Sequence, residues 1–323
     1  MQWCAETIRD RWGIRGECLS DVSLAPLTTW KVGGSADLLV RPLDLEDVHA
    51  LFVFLRHYRL PWLILGGGSN VLIADNGVRG VVIQLSDMNY IIPCGECQLR
   101  VGAGCKLRHL VLETARLGYA GIESLAGIPG SVGGAVVGNA GASGQQIGDS
   151  VVSALVAELT AVERWSTAEF DFSYRHSAVQ PYHALLEIVL NFSRGEVAKL
   201  QEEVKSAGVY RRKAQAVTGA NAGSVFKNPR GQQAWKLIAA SGVQGAEVGG
   251  AQVSMQHANF IVNNGSASAA DIITLIAKVQ HQVAQHTGYH LQPEVKMLGD
   301  FAEMTEQVAL ITNDSWSGRS LNK

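Results

Sequence analysis

The sequence predicts an α+β protein in which helices and strands alternate from end to end. Three observations predict it. Segments with apolar residues at helical spacing alternate with short apolar runs of strand length. Two glycine-rich loops, around Gly66 and Gly130, interrupt that alternation, and the first directly follows an apolar run. Hydrophobic residues make up 47% and charged residues 17% of 323 residues, a balance that packs a globular chain. At roughly 100–200 residues per domain, that length allows two or three domains.

Asp44–Tyr58 reads as a helix. Asp44 can cap it, and Val48, Leu51, Phe52 and Leu55 share one face at i, i+3, i+4 and i+7. Pro61–Leu65 is a short buried strand, followed by Gly66-Gly67-Gly68-Ser69-Asn70 and a strand over Gly80–Gln84. Tyr90–Ile92 and Gln98–Val101 read as a hairpin that turns at Gly95-Glu96. Leu107, Leu110, Val111 and Ala115 mark a helix that Gly118 ends.

The stretch from Gly121 to Gly148 is loop-like and rich in small residues. Strands are expected over Val151–Thr160 and His183–Phe192, and a helix over Glu196–Lys205. A basic run, Tyr210-Arg211-Arg212-Lys213, leads to a polar loop at Gly223–Pro229. Ala234, Leu237, Ile238 and Ser241 fit a short helix that Gly242 stops. Phe260–Asn263 is a strand, and Ile272, Leu275, Ile276, Val279 and Val283 form an amphipathic helix. A strand over Gln292–Leu298 closes the pattern, and a polar tail follows Gly299.

Several function classes are excluded. The net charge is −2, without the basic excess that nucleic acid demands. No run approaches the roughly 18 apolar residues of a membrane helix. The N-terminus lacks a basic region followed by an apolar core, so no signal peptide is expected and the protein is placed in the cytoplasm. Five cysteines, an odd number, argue against a disulfide framework. Cys94-Gly95-Glu96-Cys97, with Cys105 and His109 nearby, has the ligand types of a zinc site, but a hairpin turn accounts for it better. No metal is expected.

The polar clusters that remain carry the chemistry. Three glycines after a strand let backbone approach a ligand, and their N–H groups can line an anion site; a tight turn between strands is the alternative. The loop has neither the lysine of a Walker A motif nor GxGxxG spacing. A second small-residue loop, Gly127-Ile128-Pro129-Gly130-Ser131-Val132-Gly133-Gly134-Ala135, fits backbone pressed on an extended ligand such as a dinucleotide, or on other backbone. Thr28–Gly34 is either a third contact or a plain strand start. Tyr174-Arg175-His176-Ser177, Gly223-Ser224-Val225-Phe226-Lys227-Asn228-Pro229 and Gln292-Pro293-Glu294-Val295 offer a guanidinium, a hydroxyl and a carboxylate on separate segments.

These motifs, with Asn139-Ala140-Gly141-Ala142 and His257-Ala258-Asn259-Phe260, occur in the order of one family. From Leu24 to Gly299 the chain resembles the UDP-N-acetylenolpyruvoylglucosamine reductases of peptidoglycan precursor synthesis. The short stretch between Ser177 and Phe192 resembles the family's second type, which lacks an inserted tyrosine loop. The resemblance implies an FAD-binding region of the vanillyl-alcohol-oxidase/PCMH type over residues 23–195, in two lobes of about 23–87 and 88–195. It implies an α/β substrate-binding domain over 196–300, with 1–22 and 301–323 as terminal extensions. It further implies noncovalent FAD, NADPH as reductant, and reduction of the enolpyruvyl ether of UDP-N-acetylglucosamine to UDP-N-acetylmuramate. A monomer is expected.

Carried over residue by residue, the resemblance makes Ser224 the proton donor and Arg175 and Glu294 its partners in catalysis. Gly66, Gly67, Gly68, Ser69, Asn70, Gly127, Ile128, Pro129, Gly130, Ser131, Gly133, Gly134 and Ala135 fall to the cofactor. Lys213, Asn228, Tyr174 and Lys227 fall to the substrate. Three positions depart from the family pattern. Lys31 stands where an arginine is more usual, Ser143 where an aromatic residue is, and Ala214–Thr218 lacks the usual proline. The chemistry requires a hydride at one carbon and a proton at the next. Negative charge then spreads into the substrate carboxylate, where the planar fork of Arg175 can meet it.

Overall fold

The computed structural model describes residues 5–214 and 216–301. The chain forms two compact units and passes between them at 20–21, 37–38, 67–68, 79–80 and 214–215. The linear division at residues 23 and 196 therefore differs from the contact division. Residues 21–37 and 68–79 belong with the C-terminal part, and residues 1–20 and 196–214 belong with the first unit. Side chains far apart in sequence drive this: Trp30, fully buried, donates its indole N–H to the carbonyl of Ile261 at 2.8 Å. The polar tail after residue 301 lies outside the described residues.

Among its described residues the first unit holds five α-helices: α1 (Ala5–Trp12), α2 (Leu45–Tyr58), α3 (Leu107–Leu117), α4 (Val132–Val137) and α5 (Val197–Ala214). Asp44 caps α2 as its spacing predicts, accepting from the N–H groups of Glu46 and Asp47. Val48, Leu51, Phe52 and Leu55 of α2 are all buried. Burying each such side chain stabilises the fold by about 1.5–3 kcal/mol. Gly118 ends α3 in the left-handed conformation. A five-stranded antiparallel sheet runs Val162–Ser166, Val151–Ala157, Ala184–Asn191, Gln98–Gly102, Ile91–Gly95. Its last pair is the expected hairpin, with Cys94 and Cys97 at the turn. A four-stranded sheet has the order Glu17–Ser23, Ser35–Arg41, Val78–Ile83, Trp62–Ile64.

Three differences from the sequence reading stand out. The N-terminal extension is structured, with α1 and the strand Glu17–Ser23. Its Arg15 N–H and the N–H of Gly16 both donate to the buried Asp47 carboxylate. Helix α5 runs on through the basic segment, so that Arg211, Arg212 and Lys213 lie in its last turn, where cations complement the exposed carbonyls. The Gly121–Gly148 stretch contains a short helix, α4, capped by Ser131, whose hydroxyl oxygen accepts from Gly134 N–H at 3.2 Å.

The second unit packs helices α6 (Ala234–Ala240) and α7 (Ala269–Thr287) in a separate core with an antiparallel sheet. The sheet order is Ala220–Asn221, Ile261–Asn263, Ala251–Val253, Glu247–Val248. Ser268 and Asp271 form a capping box at the start of α7, and Asp75 accepts from Ala269 and Ala270 N–H there. The apolar face of α7 is buried along its length. Lys296–Leu298 pairs in parallel with Val71–Ile73.

Candidate active site

The first glycine loop meets the second inside the first unit. A Cβ added at Gly67 would lie 2.7 Å from the Gly130 Cα, and one added at Gly66 would lie 2.9 Å from the Ser131 hydroxyl. Only glycine lets the two backbones approach this closely. The N–H groups of Gly66 and Gly67 have no protein acceptor among the described residues.

The second loop is more committed than its composition implies. Ile128 N–H donates to Leu125, Val132 to Cys105, Gly133 to Ala103 and Ala135 to Ser131, all at backbone carbonyls. Gly134 N–H is taken by the Ser131 hydroxyl. The N–H groups of Gly130 and Ser131 have no protein acceptor among the described residues, at the point where the loop touches Gly67. Among the described residues, Gly66, Gly67, Gly130 and Ser131 thus leave four backbone donors without a protein acceptor where the two loops meet. Gly127 instead seats the stem of Arg211 from α5.

Arg175 sits at the tip of a two-residue turn closed by paired bonds between Ser173 and His176, 3.2 and 3.1 Å. Its φ of +57° lies in the left-handed region, which non-glycine side chains seldom occupy. Its Nη2 donates to the Gly141 carbonyl at 2.7 Å, and its guanidinium lies 5.2 Å from the ring of exposed Tyr174. Lys213, also in the first unit, is an exposed residue at the end of α5.

The second unit brings Ser224 and Glu294 together. Phe226 bridges to Pro293 in an antiparallel pair, and Glu294 N–H donates to the Val225 carbonyl at 2.7 Å. Lys227 N–H donates to the Gln292 carbonyl at 2.9 Å. Gly223 has a φ of +77°, a turn that a side chain would strain, immediately before Ser224. Asn259, buried, clamps this pairing from behind. Its Oδ1 accepts from Phe226 N–H at 3.0 Å, and its Nδ2 donates to the Phe226 carbonyl at 2.8 Å.

Asn70, expected at the cofactor, also supports the second unit. Its Nδ2 donates to the Glu294 carbonyl at 3.1 Å and its own carbonyl accepts from Lys296 N–H, so it is a strut under Glu294. Gly68 likewise offers its carbonyl to Thr29 N–H. Thr28–Gly34 is a core wedge, built on buried Thr28 and Trp30. Asn228 spends its Oδ1 on Ala234 N–H, the first of α6, at 2.9 Å. The Lys296 ammonium is held below the ordinary lysine range, first by lost solvent and then by the charge of Lys227, with Glu294 opposing.

Sequence reasoning singled out neither Asn259 nor Asn139 as functional, although both lie in quoted motifs. The signal was an asparagine beside small residues, at Asn139-Ala140-Gly141; Asn139 has a φ of +41°. Burial pushes the Cys105 thiol up to about 11, which keeps it protonated and a poor metal ligand. Among the described residues no three His, Cys, Asp or Glu side chains gather as a metal site, and no helix is long and apolar enough to cross a membrane.

Comparison with known proteins matches both units. Residues 36–162 match a family described as "FAD binding domain". Residues 214–298 match one described as "UDP-N-acetylenolpyruvoylglucosamine reductase, C-terminal domain". The UDP-N-acetylenolpyruvoylglucosamine reductase of Syntrophotalea carbinolica is 42% identical over 272 residues, covering 84% of this chain and 91% of its own. That of Geobacter sulfurreducens is 41% identical over 287 residues, covering 89% and 96%. The crystal structure of the Thermus caldophilus reductase superposes with a TM-score of 0.75 at 33% identity, over 88% of this chain and 99% of that one.

Proposed function

The chain belongs to the UDP-N-acetylenolpyruvoylglucosamine reductase family, and on that premise we propose how its residues divide the work of reducing the enolpyruvyl ether of UDP-N-acetylglucosamine to UDP-N-acetylmuramate. FAD is the cofactor, and when bound it supplies at its flavin ring the hydride drawn from NADPH. The bare N–H groups of Gly66, Gly67, Gly130 and Ser131 fit its phosphates, because oriented backbone donors receive anions without side-chain bulk.

The substrate double bond gains hydride at its terminal carbon and a proton at the carbon bearing the carboxylate. Between the two steps the charge is delocalised into that carboxylate. Arg175 meets it with a planar fork, stronger than a point charge at such a site. Ser224 delivers the proton; its hydroxyl is a weak acid, but an enolate is a strong enough base to take it. Glu294 stands next to Ser224 and acts at the same developing charge. Lys213, Lys227 and Asn228 bind the diphosphate, and Tyr174 contacts the substrate as well. The protein works as a cytoplasmic monomer on small molecules.

The observation that carries this reading is the pairing that fixes Glu294 beside the Ser224 loop, 2.7 Å from Glu294 N to the Val225 carbonyl. The test is anaerobic titration of the purified protein. It should be yellow, bleach with NADPH, and recover its colour with one equivalent of the enolpyruvyl substrate. Flavin that bleaches but is not reoxidised by that substrate overturns the substrate assignment. Flavin that stays with the chain after acid denaturation overturns noncovalent binding.

A further inference from the structure

Asn139 is fully buried, with a φ of +41°, and its amide is spent in three directions. Its Nδ2 donates to the Ser173 carbonyl at 2.8 Å and to the Gln146 Oε1 at 3.0 Å, and its Oδ1 accepts from Gly148 N–H at 3.1 Å. The Ser173 carbonyl also accepts from His176 N–H, which closes the turn that carries Arg175. So Asn139 grips the base of that turn. Two residues on, the Gly141 carbonyl grips its tip through Arg175 Nη2 at 2.7 Å. Gly141 is itself held in a short ladder, Gly141–Ala142 against Gln145–Gln146, and Gln146 is the residue that accepts from Asn139. One loop therefore fixes both ends of the arginine turn.

A bond to the turn's base alone would fit a buried asparagine that only completes the fold. Two features argue for more. Arg175 adopts a left-handed backbone, which costs energy and persists only where its surroundings over-determine it. And Ser131, whose N–H belongs to the cofactor cradle, begins the six-residue helix α4 that ends just before Asn139. At about 1.5 Å per residue that is about 9 Å of rigid rise between cradle and arginine anchor.

We propose that Asn139 is a positioning residue that sets the Arg175 guanidinium for the substrate carboxylate, by tying the Ser173–His176 turn to the loop over residues 139–148. This rests on the reading of Arg175 as the group that meets the enolate.

The test is a double-mutant cycle between Asn139→Gly and Arg175→Met in the FAD-loaded protein. Glycine keeps the left-handed backbone at 139 and removes only the amide. Four quantities are read: flavin content, flavin reduction by NADPH, flavin reoxidation by the enolpyruvyl substrate, and substrate dissociation constant. The last is measured on oxidised enzyme without NADPH from the perturbed flavin spectrum. Asn139→Gly should keep its flavin and its rate of reduction, slow reoxidation about tenfold or more, and weaken substrate binding. In the Arg175→Met background the same change should cost less than about twofold, because its effect runs through the guanidinium. Equal losses in both backgrounds overturn the proposal and make Asn139 a fold residue. If Asn139→Gly loses flavin, Asn139→Asp, which keeps the acceptor for Gly148 N–H, takes its place in the cycle; loss of flavin in both also overturns it. Wild-type reoxidation in Arg175→Met alone overturns the reading of Arg175 instead, an outcome distinct from additivity.

Discussion

The backbone N–H of Glu294 donates to the carbonyl oxygen of Val225 over 2.7 Å. That bond joins a segment near the end of the described chain to the residue after Ser224, 69 positions earlier. It places Ser224 and Glu294 on neighbouring backbones. Asn259 braces one strand of the pair and Asn70 the other. For the proton delivery proposed at Ser224, preorganisation of this kind would let a weak acid act, because no reorganisation is required at the moment of reaction.

Ser224→Ala should remove proton delivery and leave the rest of the site standing. Reoxidation of reduced flavin by the enolpyruvyl substrate should slow by about 10²–10⁴-fold, the usual range for a general acid. Flavin reduction by NADPH should stay near wild type. Stopped-flow absorbance separates the halves. Equal slowing of both would show that Ser224 serves the loop and not the chemistry. Ser224→Cys should keep part of the activity, because a thiol also carries a proton to give.

Gly67→Ala tests the meeting of the two loops. The new Cβ would sit 2.7 Å from the Gly130 Cα, and backbone faces it, so neither side can swing away. The expected cost is about 1–3 kcal/mol of overpacking, read as a lower Tm and a reduced ratio of FAD to protein. Full flavin content with an unchanged Tm would show that the loops separate freely. Gly208→Ala is the control, because Gly208 lies within α5 and its Cβ position meets only the Arg212 Nη1 at 3.5 Å.

Much of this was legible in the sequence, and what was not has a common cause. Helix α2 could be read from Asp44 and the spacing of Val48, Leu51, Phe52 and Leu55, because cap and period are local signals. So could α7 and the Cys94–Cys97 hairpin. The division into units could not, since it depends on contacts such as that of Trp30 with Ile261, 231 positions apart. The short strands Glu247–Val248 and Ala251–Val253 carry too few residues for alternation to show. Ser224, Arg175 and Glu294 could be proposed for the chemistry because their side chains carry it. Most of the groups that hold them could not be read in the same way. The anchor of Arg175 is the carbonyl of Gly141, and a backbone acceptor leaves no mark on residue type. The donors of the Gly127–Ala135 loop looked available by composition, yet α4 and the Cys105 and Ala103 carbonyls use most of them.

His257 should make stability fall in mild acid. Burial holds its imidazole below the ordinary histidine value of 6.5, and its Nδ1 accepts from Asn259 N–H at 3.3 Å, a bond that protonation there would break. A depressed folded value means that the unfolded chain binds the proton first as pH drops. The contribution is present above 6.5 and is lost as pH falls through the folded value. Urea midpoints measured between about pH 5 and 8 should therefore decline below 6.5 in the wild type. His257→Gln, which cannot titrate, should decline less steeply. Parallel curves would place the acid sensitivity elsewhere.

Asn228 allows structure and binding to be separated at one position. Its Oδ1 accepts from Ala234 N–H at 2.9 Å, which satisfies an orphan donor at the start of α6, and its amide N–H groups are the part proposed to meet the substrate diphosphate. Asn228→Asp keeps the acceptor and replaces those donors with negative charge. Its Tm should match wild type, while KM for the UDP-sugar rises about tenfold or more with kcat little changed, the pattern of lost uniform binding. Asn228→Ala removes both functions, so it should show the same rise in KM together with a stability loss of about 0.5–2 kcal/mol from the uncapped helix. A wild-type KM in Asn228→Asp would leave Asn228 as a helix cap alone and would move diphosphate binding to Lys227 and its neighbours.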